Sequence, residues 1–462
     1  MIEDIYKRIW ELSPNVRSSD SYAELTSLTK ELIRLYDLQV RLSDDPFSPT
    51  RLRKLSLPVE KLNHELKNST CLVTGGLGCV GSTLVSELLK FDIKRIIILD
   101  HNNQSAYIPV PKVTFIPCDV REFQFVQEIF TQYRPDFVFH TAAQRDPGYA
   151  ESHIFETVST NVTGTLNVVK ACELSGTVKQ CIFSSTGKSS RYFTEETYSA
   201  AKKMCEFILD AYARRGNVKY AMVRFTHILD NSIMNQQLRD EAKNNDFVAV
   251  HCPGKFVTAQ NVKEAAYLML NALIYSETKQ CNFLIVRNLE WPVESLEMAL
   301  YYIKQSERGI PVIFMGNPIG YTEKFFRGQM DWSNPQDLNL LINVYEQKYR
   351  RHNQEDDIII SHICEINENE LEKVLHKIAG ATGEKDIKEC LVEGLKEIVK
   401  ESLTHVDKKD TVNILNWGLH QKFLEIEKAK ISDYGPIIPL MFESLKGTEY
   451  YKQVENLLYQ KV

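Results

Sequence analysis

A tyrosine and a lysine four residues apart, Tyr198 and Lys202, have the clearest potential for chemistry in this sequence. At this spacing the two side chains lie on one face of a helix. A tyrosine hydroxyl titrates at about 10 and is a poor base at neutral pH. A nearby ammonium favours the tyrosinate, which could then take a proton from a substrate hydroxyl. The pair predicts oxidation of an alcohol or reduction of a ketone; the alternative is an ordinary surface pair.

A hydroxyl-rich run, Ser184-Ser185-Thr186, ends an apolar stretch shortly before this pair. The Thr186 hydroxyl could polarise the substrate oxygen from which Tyr198 takes its proton. The three side chains together would supply a hydrogen-bond donor, a proton acceptor and a cation at one reaction centre.

A glycine-rich run, TGGLGCVG at residues 74–81, follows a short apolar stretch and opens a helical pattern. This is the strand–turn–helix order of a dinucleotide site. Gly75 makes the sharp exit from the strand, Gly78 lets a pyrophosphate approach the backbone, and Gly81 lets the helix lie close to the strand. The first N–H groups of a helix have no acceptor within the helix itself, so those at Cys79 and Val80 suit phosphate oxygens.

Asp100 ends the next apolar run, residues 95–99. An acidic side chain at the end of the second strand can accept both ribose hydroxyls of an adenosine and would repel a 2′-phosphate. The sequence therefore predicts NAD as the cofactor. NADP is the alternative, because the neighbouring residues 101–103 could soften this preference. Asp100 could instead be a helix or turn cap.

These residues are held by a predicted alternation of strands and helices that begins at about residue 67. It indicates an α/β fold: a Rossmann-type doubly wound parallel sheet with helices on both faces and a small substrate lobe. Ligands then lie beyond the carboxyl ends of the strands. The predicted strands are residues 71–73, 96–99, 113–116, 137–140, 180–184 and 220–225.

Three regions follow from the pattern. Residues 1–66 predict a helical N-terminal extension, packed on the next domain or on a partner subunit. Residues 67–330 predict the cofactor-binding domain, with the substrate lobe mainly in 226–330 and a strand at 283–286. Residues 331–462 predict a helical C-terminal region of unknown role.

The bulk composition excludes several classes of protein. A formal net charge of −6 argues against general nucleic-acid binding. No apolar stretch approaches the roughly 20 residues that a membrane helix needs. The ten cysteines show no metal-ligand spacing, so no metal site is expected and the thiols should be reduced. A cytoplasmic protein is predicted.

The whole set of motifs resembles the extended short-chain dehydrogenase/reductases, and within them the polysaccharide-biosynthesis branch of nucleotide-sugar 4,6-dehydratases and epimerases. The resemblance covers about residues 68–330. Its most specific parts are RPDFVFH at 134–140 followed by Ala142 and Ala143, STGK at 185–188, and Arg224-Phe225. Weaker support comes from GYTEK at 320–324.

The resemblance implies a role for each motif. The glycine loop would hold the pyrophosphate, a second turn would flank the adenine, and the end of the fourth strand would line the path to the nicotinamide. Lys202 would also hold the nicotinamide ribose. The implied cofactor contacts are Thr74, Gly75, Gly78, Cys79, Val80, Gly81, Asp100, Asp119, Val120, Ala142, Ala143, Tyr198 and Lys202. The implied catalytic residues are Tyr198, Lys202, Thr186 and Lys188.

The sequence departs from that branch at one position of chemical weight. In the dehydratases an aspartate donates a proton to the departing hydroxyl, and here Gly187 stands in its place. Lys188 is retained and could act as a base at a carbon next to a transient ketone. Glu195 or Glu196 could substitute for the missing acid; the alternative is that both are charges at a helix start. The usual Lys-His pair is replaced by Arg145-Asp146.

The expected function is modification of a nucleotide-sugar by transient oxidation of a sugar hydroxyl, followed by epimerisation or dehydration. A net dehydrogenase or reductase is the first alternative, since hydride transfer does not need the missing acid. A non-catalytic cofactor-binding scaffold is the second. A homo-oligomer is expected, paired through the helices after Asn161 and around Tyr198, with the helical ends adding to that contact or replacing it.

Overall fold

The computed structural model describes residues 2–102, 110–231 and 233–459. Asn103, one of the neighbours of Asp100 considered above, lies outside the described residues. The chain divides into two compact units. We call residues 55–225, 266–287 and 319–462 the sheet unit, and residues 1–54, 226–265 and 288–318 the small unit.

The described strands and helices alternate through the middle of the chain. The strands are β1 (Thr70–Thr74), β2 (Arg95–Asp100), β3 (Val113–Pro117), β4 (Phe137–His140), β5 (Gln180–Thr186), β6 (Lys219–Phe225), β7 (His227–Ile228), β8 (Val248–Val250), β9 (Phe256–Val257), β10 (Ala259–Gln260), β11 (Asn282–Val286), β12 (Val293–Glu294), β13 (Val312–Phe314), β14 (Arg351–His352) and β15 (Ile358–His362). The helices are α1 (Ile2–Leu12), α2 (Ser19–Leu38), α3 (Ser48–Leu52), α4 (Val59–Leu66), α5 (Cys79–Leu88), α6 (Phe123–Tyr133), α7 (Pro147–Ser152), α8 (Ile154–Val158), α9 (Gly164–Ser175), α10 (Thr197–Arg215), α11 (Ile233–Asn244), α12 (Val262–Tyr275), α13 (Ser295–Ser306), α14 (Val344–Gln347), α15 (Glu368–Gly380), α16 (Glu384–His405), α17 (Lys408–Gly418), α18 (Gln421–Ile426), α19 (Ile437–Ser444) and α20 (Tyr450–Tyr459).

The sheet unit is built on one large sheet. Among the described residues, nine strands pair in the order β14-β15-β11-β6-β5-β4-β1-β2-β3. Neighbours from β3 to β11 run parallel, whereas β15 is antiparallel to both β11 and β14. This confirms the predicted doubly wound α/β fold with a mainly parallel sheet.

The central strands are continuous apolar runs, as parallel strands covered on both faces require. Every residue of β1 and of β4 is buried. Each of the six apolar runs predicted as strands between residues 71 and 225 is a strand of this sheet, and the run at 283–286 forms part of β11. Apolar runs bounded by turn residues were therefore enough to predict the central strands of this sheet.

The register brings the strand ends to one edge. Thr74 pairs with both Leu99 and His140, and Thr186 pairs with Phe225. The residues that follow these strand ends therefore emerge on the same side of the sheet. This is the edge at which the predicted cofactor and catalytic residues lie.

The C-terminal region is mostly helical, as predicted, but it also contributes β14 and β15 to the large sheet. The prediction missed the run Ile358-Ile359-Ile360, which is buried in β15. In the same region α16 packs on α8 and α10. Glu384 of α16 accepts a hydrogen bond from the backbone N–H of Phe155 at 2.7 Å, at the start of α8.

In the small unit, α1, α2 and α13 pack around the parallel pair β8 and β13. The first 54 residues share this core with segments far along the chain. Tyr36 donates a hydrogen bond from its hydroxyl to Glu294, at 2.9 Å. The buried core includes Ile9, Leu25, Leu32, Leu296, Leu300 and Val312.

Across the described residues, none of the helices combines the length and the apolar character that a bilayer crossing demands.

Candidate active site

The glycine loop joins β1 to α5 in a conformation that side chains would prevent. Gly75 has a φ of +67°, and a Cβ there would lie 2.7 Å from the backbone nitrogen of Ala142. A Cβ added at Gly81 would overlap the carbonyl oxygen of Gly75. Gly78 precedes α5, and no side chain caps the first turn of that helix. Cys79 and Val80 thus present their N–H groups beside a narrow backbone cradle, which fits a pyrophosphate.

Asp100 connects the end of β2 to this loop. Its carboxylate is 4% exposed. One oxygen accepts a hydrogen bond from the N–H of Leu77, at 3.0 Å, and the other accepts one from the N–H of Asn102, at 3.0 Å. The structure thus places the predicted ribose-binding carboxylate against the glycine loop, where it also orders the loop.

Asp119 and Val120 follow β3. The Arg121 guanidinium donates to Asp119, with its Nε 2.8 Å from Oδ2, and this contact lowers the pKa of the carboxyl below its usual value. Val120 is buried, and its carbonyl accepts a hydrogen bond from the Asn167 side chain at 3.0 Å. The turn predicted to flank an adenine is therefore held in place from both sides.

A buried chain of hydrogen bonds lies behind the glycine loop. The His140 ring bonds to the Thr74 hydroxyl at 2.7 Å through Nδ1 and to the Thr165 hydroxyl at 3.0 Å through Nε2. Burial, reinforced by the Lys202 charge, lowers the pKa of His140 to about 3, so the ring is neutral. Thr74 Oγ1 also accepts the N–H of Ala142 at 3.2 Å, which fixes the end of β4 beside the loop.

The segment after β4 has a second support that the sequence reasoning missed. Asn161 bonds the backbone of Gln144 twice, accepting its N–H at 2.8 Å and donating to its carbonyl at 3.0 Å. Ala142 and Ala143 lie just before this clamp, both half-buried. The signal was present in the run TNVTGT at 160–165, but nothing in the sequence indicated its partner.

Lys202 lies in α10 and is 3% exposed. Its ammonium donates to the carbonyl oxygen of Ser184 at 2.6 Å and lies 4.3 Å from the centre of the Phe183 ring. Burial lowers the pKa of Lys202 to about 8. The lysine thus joins α10 to β5.

Tyr198 lies one turn before Lys202 on α10. Burial raises the pKa of Tyr198 to about 12, while a hydrogen bond with Thr186 and the Arg145 charge act in the opposite direction. In the protein alone the pKa is thus not lowered as expected from a nearby ammonium, because the Lys202 ammonium is bonded to the carbonyl oxygen of Ser184. The contact between Tyr198 and Thr186 does bring the two predicted hydroxyls together.

Lys188 lies just past the end of β5. Its ammonium contacts a carboxylate oxygen of Glu196 at 2.9 Å and the carbonyl oxygen of Gly320 at 3.3 Å. It also lies 5.2 Å from the centre of the Tyr321 ring. Burial lowers the pKa of Lys188, and the Glu196 charge opposes that effect.

Neither glutamate before α10 has the surroundings of a proton donor. Burial would raise the pKa of Glu196, but the charges of Lys188 and Arg191 outweigh it and the pKa is lowered. Glu195 is exposed. The suggestion that one of them replaces the missing acid finds no support in this geometry.

Gly187 is closely packed. A Cβ added at this position would overlap the Cδ2 atom of Leu341, a buried residue. The aspartate that the resemblance would place here has no room while Leu341 holds this position. Asp146, at the other position where the sequence departs from the branch, serves as the N-cap of α7 by accepting the N–H of Gly148 at 2.8 Å.

Buried charges reinforce the base of the site. Arg224 on β6 is fully buried and bonds the carboxylates of Glu206 and Glu346, each at 2.7 Å through Nη2. Ser185 donates to Glu206 at 2.5 Å. The end of β5, α10 and β6 are thus held by one ionic cluster.

No group of three or more metal-binding side chains occurs within the described parts of the chain.

Comparisons with known proteins agree with this architecture. The sequence model of one protein family, described as "Polysaccharide biosynthesis protein", matches residues 71–310, more than half of the chain. The capsular polysaccharide biosynthesis protein CapD of Staphylococcus aureus is 25% identical over 320 residues, covering 62% of this chain and 52% of that protein. A UDP-glucose 4-epimerase of Rickettsia bellii is 25% identical over 260 residues, covering 53% of this chain and 74% of its own.

A solved structure supports the same fold. Pen from Bacillus thuringiensis matches with a TM-score of 0.55 at 20% identity, covering 64% of this chain and 87% of its own. The chain spans about half the length of the first curated relatives it matches, 52% for CapD and 46% for the probable polysaccharide biosynthesis protein EpsC of Bacillus subtilis.

Proposed function

The chain belongs to the polysaccharide biosynthesis protein family, and from this premise we propose that it is an NAD-dependent enzyme that modifies a nucleotide-linked sugar by transient oxidation. The resemblance to extended short-chain dehydrogenase/reductases is thereby confirmed. The observation that carries the proposal is the bond from Lys202 to the Ser184 carbonyl, which joins α10 to the end of β5 and leaves Tyr198 close enough to Thr186 for that hydroxyl to lower the tyrosine pKa. Related proteins named as epimerases support it.

The cofactor site is proposed from the glycine cradle and the carboxylate beside it. The N–H groups of the first turn of α5 would bind the pyrophosphate of NAD. Asp100 would accept the adenosine ribose hydroxyls, which favours NAD over NADP because a 2′-phosphate would meet a buried negative charge. Asp119 and Val120 would flank the adenine, and Ala142 and Ala143 would line the nicotinamide side. Lys202 would bind the nicotinamide ribose.

The catalytic step is assigned to the chain's own hydroxyls. Bound NAD would supply the hydride acceptor and a positive charge. Thr186 would donate a hydrogen bond to the sugar oxygen, and Tyr198 would accept the proton from the sugar hydroxyl as the carbonyl forms. Because the protein alone raises the pKa of Tyr198 to about 12, proton removal needs a positive charge that arrives with the ligands.

Epimerisation is favoured over dehydration. Elimination of a hydroxyl needs an acid near the leaving oxygen; position 187 offers no side chain, and a Cβ there would overlap the Cδ2 atom of Leu341. Lys188 would then serve as the base at a carbon next to the ketone. A net dehydrogenase remains the second candidate, since Tyr198, Lys202 and Thr186 suffice for hydride transfer.

The cellular compartment and the oligomeric state are also proposed. The ten cysteines are free, which fits a reducing compartment such as the cytoplasm. A homo-oligomer is also proposed, and because α16 of the same chain packs on α10, the C-terminal helices would replace part of the contact expected through that helix.

The test begins with the purified protein. We would denature it and identify any released NAD or NADP by absorbance and mass, then incubate intact protein with UDP-glucose or UDP-N-acetylglucosamine without added cofactor. Retained NAD and a product of unchanged mass would support epimerisation. A product lighter by one water would show that the reaction is a dehydration instead. Product that appears only with stoichiometric consumption of added NAD would establish the dehydrogenase instead.

A further inference from the structure

One carboxylate connects Lys188 to the helix that carries Tyr198. Glu196 directly precedes α10, two residues before the tyrosine, and is 8% exposed. Its Oε2 atom contacts the Lys188 ammonium at 2.9 Å and the Arg191 guanidinium at 2.9 Å. The Ser199 hydroxyl donates to the same oxygen at 3.3 Å. Glu196 is therefore bonded both to the turn after β5 and to the first turn of α10.

A distant segment closes around the same carboxylate. The Glu323 N–H donates to Glu196 Oε1 at 3.4 Å, and the Glu323 side chain accepts from Arg191 at 2.6 Å. The carbonyl of Gly320 is the second acceptor for Lys188, at 3.3 Å. A Cβ at Gly320 would overlap the carbonyl oxygen of Pro147, so this backbone is closely packed at its present position. The Lys188 ammonium is thus fixed by two acceptors from different parts of the chain.

We propose that Glu196 is the positioning residue for Lys188, holding its ammonium at the end of β5 and tying its placement to that of Tyr198. This inference rests on the proposed function, which places Lys188 in the active site. Without Glu196, the long lysine side chain would keep a single weak acceptor and would gain rotamer freedom. Lys188 and Tyr198 would then no longer be held in a fixed position relative to each other.

The charges around Lys188 predict the direction in which its pKa would shift if Glu196 were neutralised. Arg191, from the turn after β5, disfavours the Lys188 cation, whereas Glu196 and Glu323 favour it. The centre of the Tyr321 ring lies 5.2 Å from the Lys188 ammonium. Glu151, which is paired with Lys388, lines a cavity of about 350 Å³ together with Glu196 and Glu323. Neutralising Glu196 removes one favourable charge and leaves Arg191 facing the lysine. The Lys188 pKa then falls further.

The experiment reads Lys188 directly and needs no substrate. We would label the full-length protein with acetic anhydride across a pH range and quantify the peptide that contains Lys188 by mass spectrometry. Glu196→Gln should move the labelling midpoint down by at least about half a pH unit, equivalent to roughly a threefold faster reaction below the midpoint. The exposed neighbour gives the control variant Glu195→Gln, and Lys396 gives an internal reference; neither should move. An unchanged Lys188 midpoint in Glu196→Gln overturns the proposal.

Turnover of UDP-glucose supplies the second reading. The acidic limb of the kcat/KM profile should move down in Glu196→Gln by the same amount as the labelling midpoint, and an unmoved limb would contradict a role in the reaction. If the parent turns over neither UDP-glucose nor UDP-N-acetylglucosamine, the proposed function fails while the labelling shift still supports the positioning role. Should Glu196→Gln not fold, Glu196→Asp should show a smaller shift in the same direction, and no shift there rejects the inference.

Discussion

The Lys202 ammonium lies 2.6 Å from the carbonyl oxygen of Ser184, and this bond joins α10 to β5 inside the protein. Ser184 is two residues before Thr186, and Lys202 is four residues after Tyr198. This buried hydrogen bond therefore helps to set the distance between the two elements that carry the proposed reacting hydroxyls. Lys202 has a structural task at this site in addition to the proposed contact with a ribose.

The burial of Lys202 predicts a specific pH dependence of stability. Its pKa is about 8 in the folded chain and about 10.4 in an unfolded one. Between these values the unfolded chain binds more protons, so the contribution of this residue to the free energy of unfolding rises with pH. Lys202→Met should flatten that rise. Urea unfolding of both proteins between about pH 7 and 10 measures it, and parallel pH profiles would contradict the assignment.

Replacing Tyr198 by phenylalanine should remove catalysis and spare the fold. The variant keeps the ring and loses only the hydroxyl that accepts the proton, so kcat should fall by roughly a hundredfold to ten-thousandfold. Retained NAD should be unchanged when the denatured protein is analysed. Tyr212→Phe, on the same helix, is the matched control and should keep full activity. Activity in Tyr198→Phe comparable to the parent would show that Tyr198 is not the proton acceptor.

A substitution in the glycine loop should weaken NAD binding without unfolding the protein. Gly81→Ala forces the new methyl group into the carbonyl oxygen of Gly75, which must displace the loop. We expect NAD affinity to fall at least about tenfold, as measured by calorimetry on protein stripped of its cofactor. The comparison is Gly380→Ala, where the added methyl group meets no atom within 4 Å. Equal NAD affinity in the two variants would remove this loop from the cofactor site.

Substitutions at Gly187 and Leu341 should have non-additive effects on stability. Gly187→Asp alone should overpack against Leu341 and cost about 1–3 kcal/mol of stability. Adding Leu341→Ala should recover part of that loss, because the space is then available, although the smaller side chain has its own cost. Urea unfolding of the parent, both single variants and the double variant gives the coupling energy. Purely additive effects would show that the two positions do not compete for space.

The buried ionic cluster predicts the largest stability effect. Arg224→Met leaves the carboxylates of Glu206 and Glu346 without their shared cation, and breaking a buried pair in this way costs about 3–5 kcal/mol. Arg239→Met is the control, because Arg239 is exposed and lies 3.9 Å from Asp240. Chemical denaturation should separate the two variants clearly. A loss below about 1 kcal/mol in Arg224→Met would show that the cluster is not a stabilising element.

The parallel sheet and its functional edge were predictable because each is encoded locally. Short apolar runs bounded by turns gave the central strands, and the end of each run gave a candidate residue such as Asp100 or Thr186. The loop at residues 74–81 was readable because its glycines meet steric needs within a few residues. The structure confirms the predicted sheet, while the assigned residue roles remain proposals.

What the sequence did not give depends on contacts between distant segments. Leu341 packs against Gly187 across about 150 residues of chain, and no local pattern marks that pairing. The run at 358–360 is too short to separate a strand from a buried helix turn by periodicity. The pKa of Tyr198 was expected to fall because spacing brings Lys202 to the same helix face, but spacing does not reveal that its ammonium is bonded to Ser184.

Glu151 on α7 links the C-terminal helix α16 to α10, which carries Tyr198. It accepts the N–H of Thr197, at the start of α10, at 2.6 Å and pairs with Lys388 of α16 at 2.5 Å. The C-terminal helices are therefore not a separable module. A chain shortened before α16 would leave a mostly buried carboxylate without its cation beside the turn that carries Tyr198. Any domain trimming or fusion of this protein has to keep α16 as a support of the proposed active site.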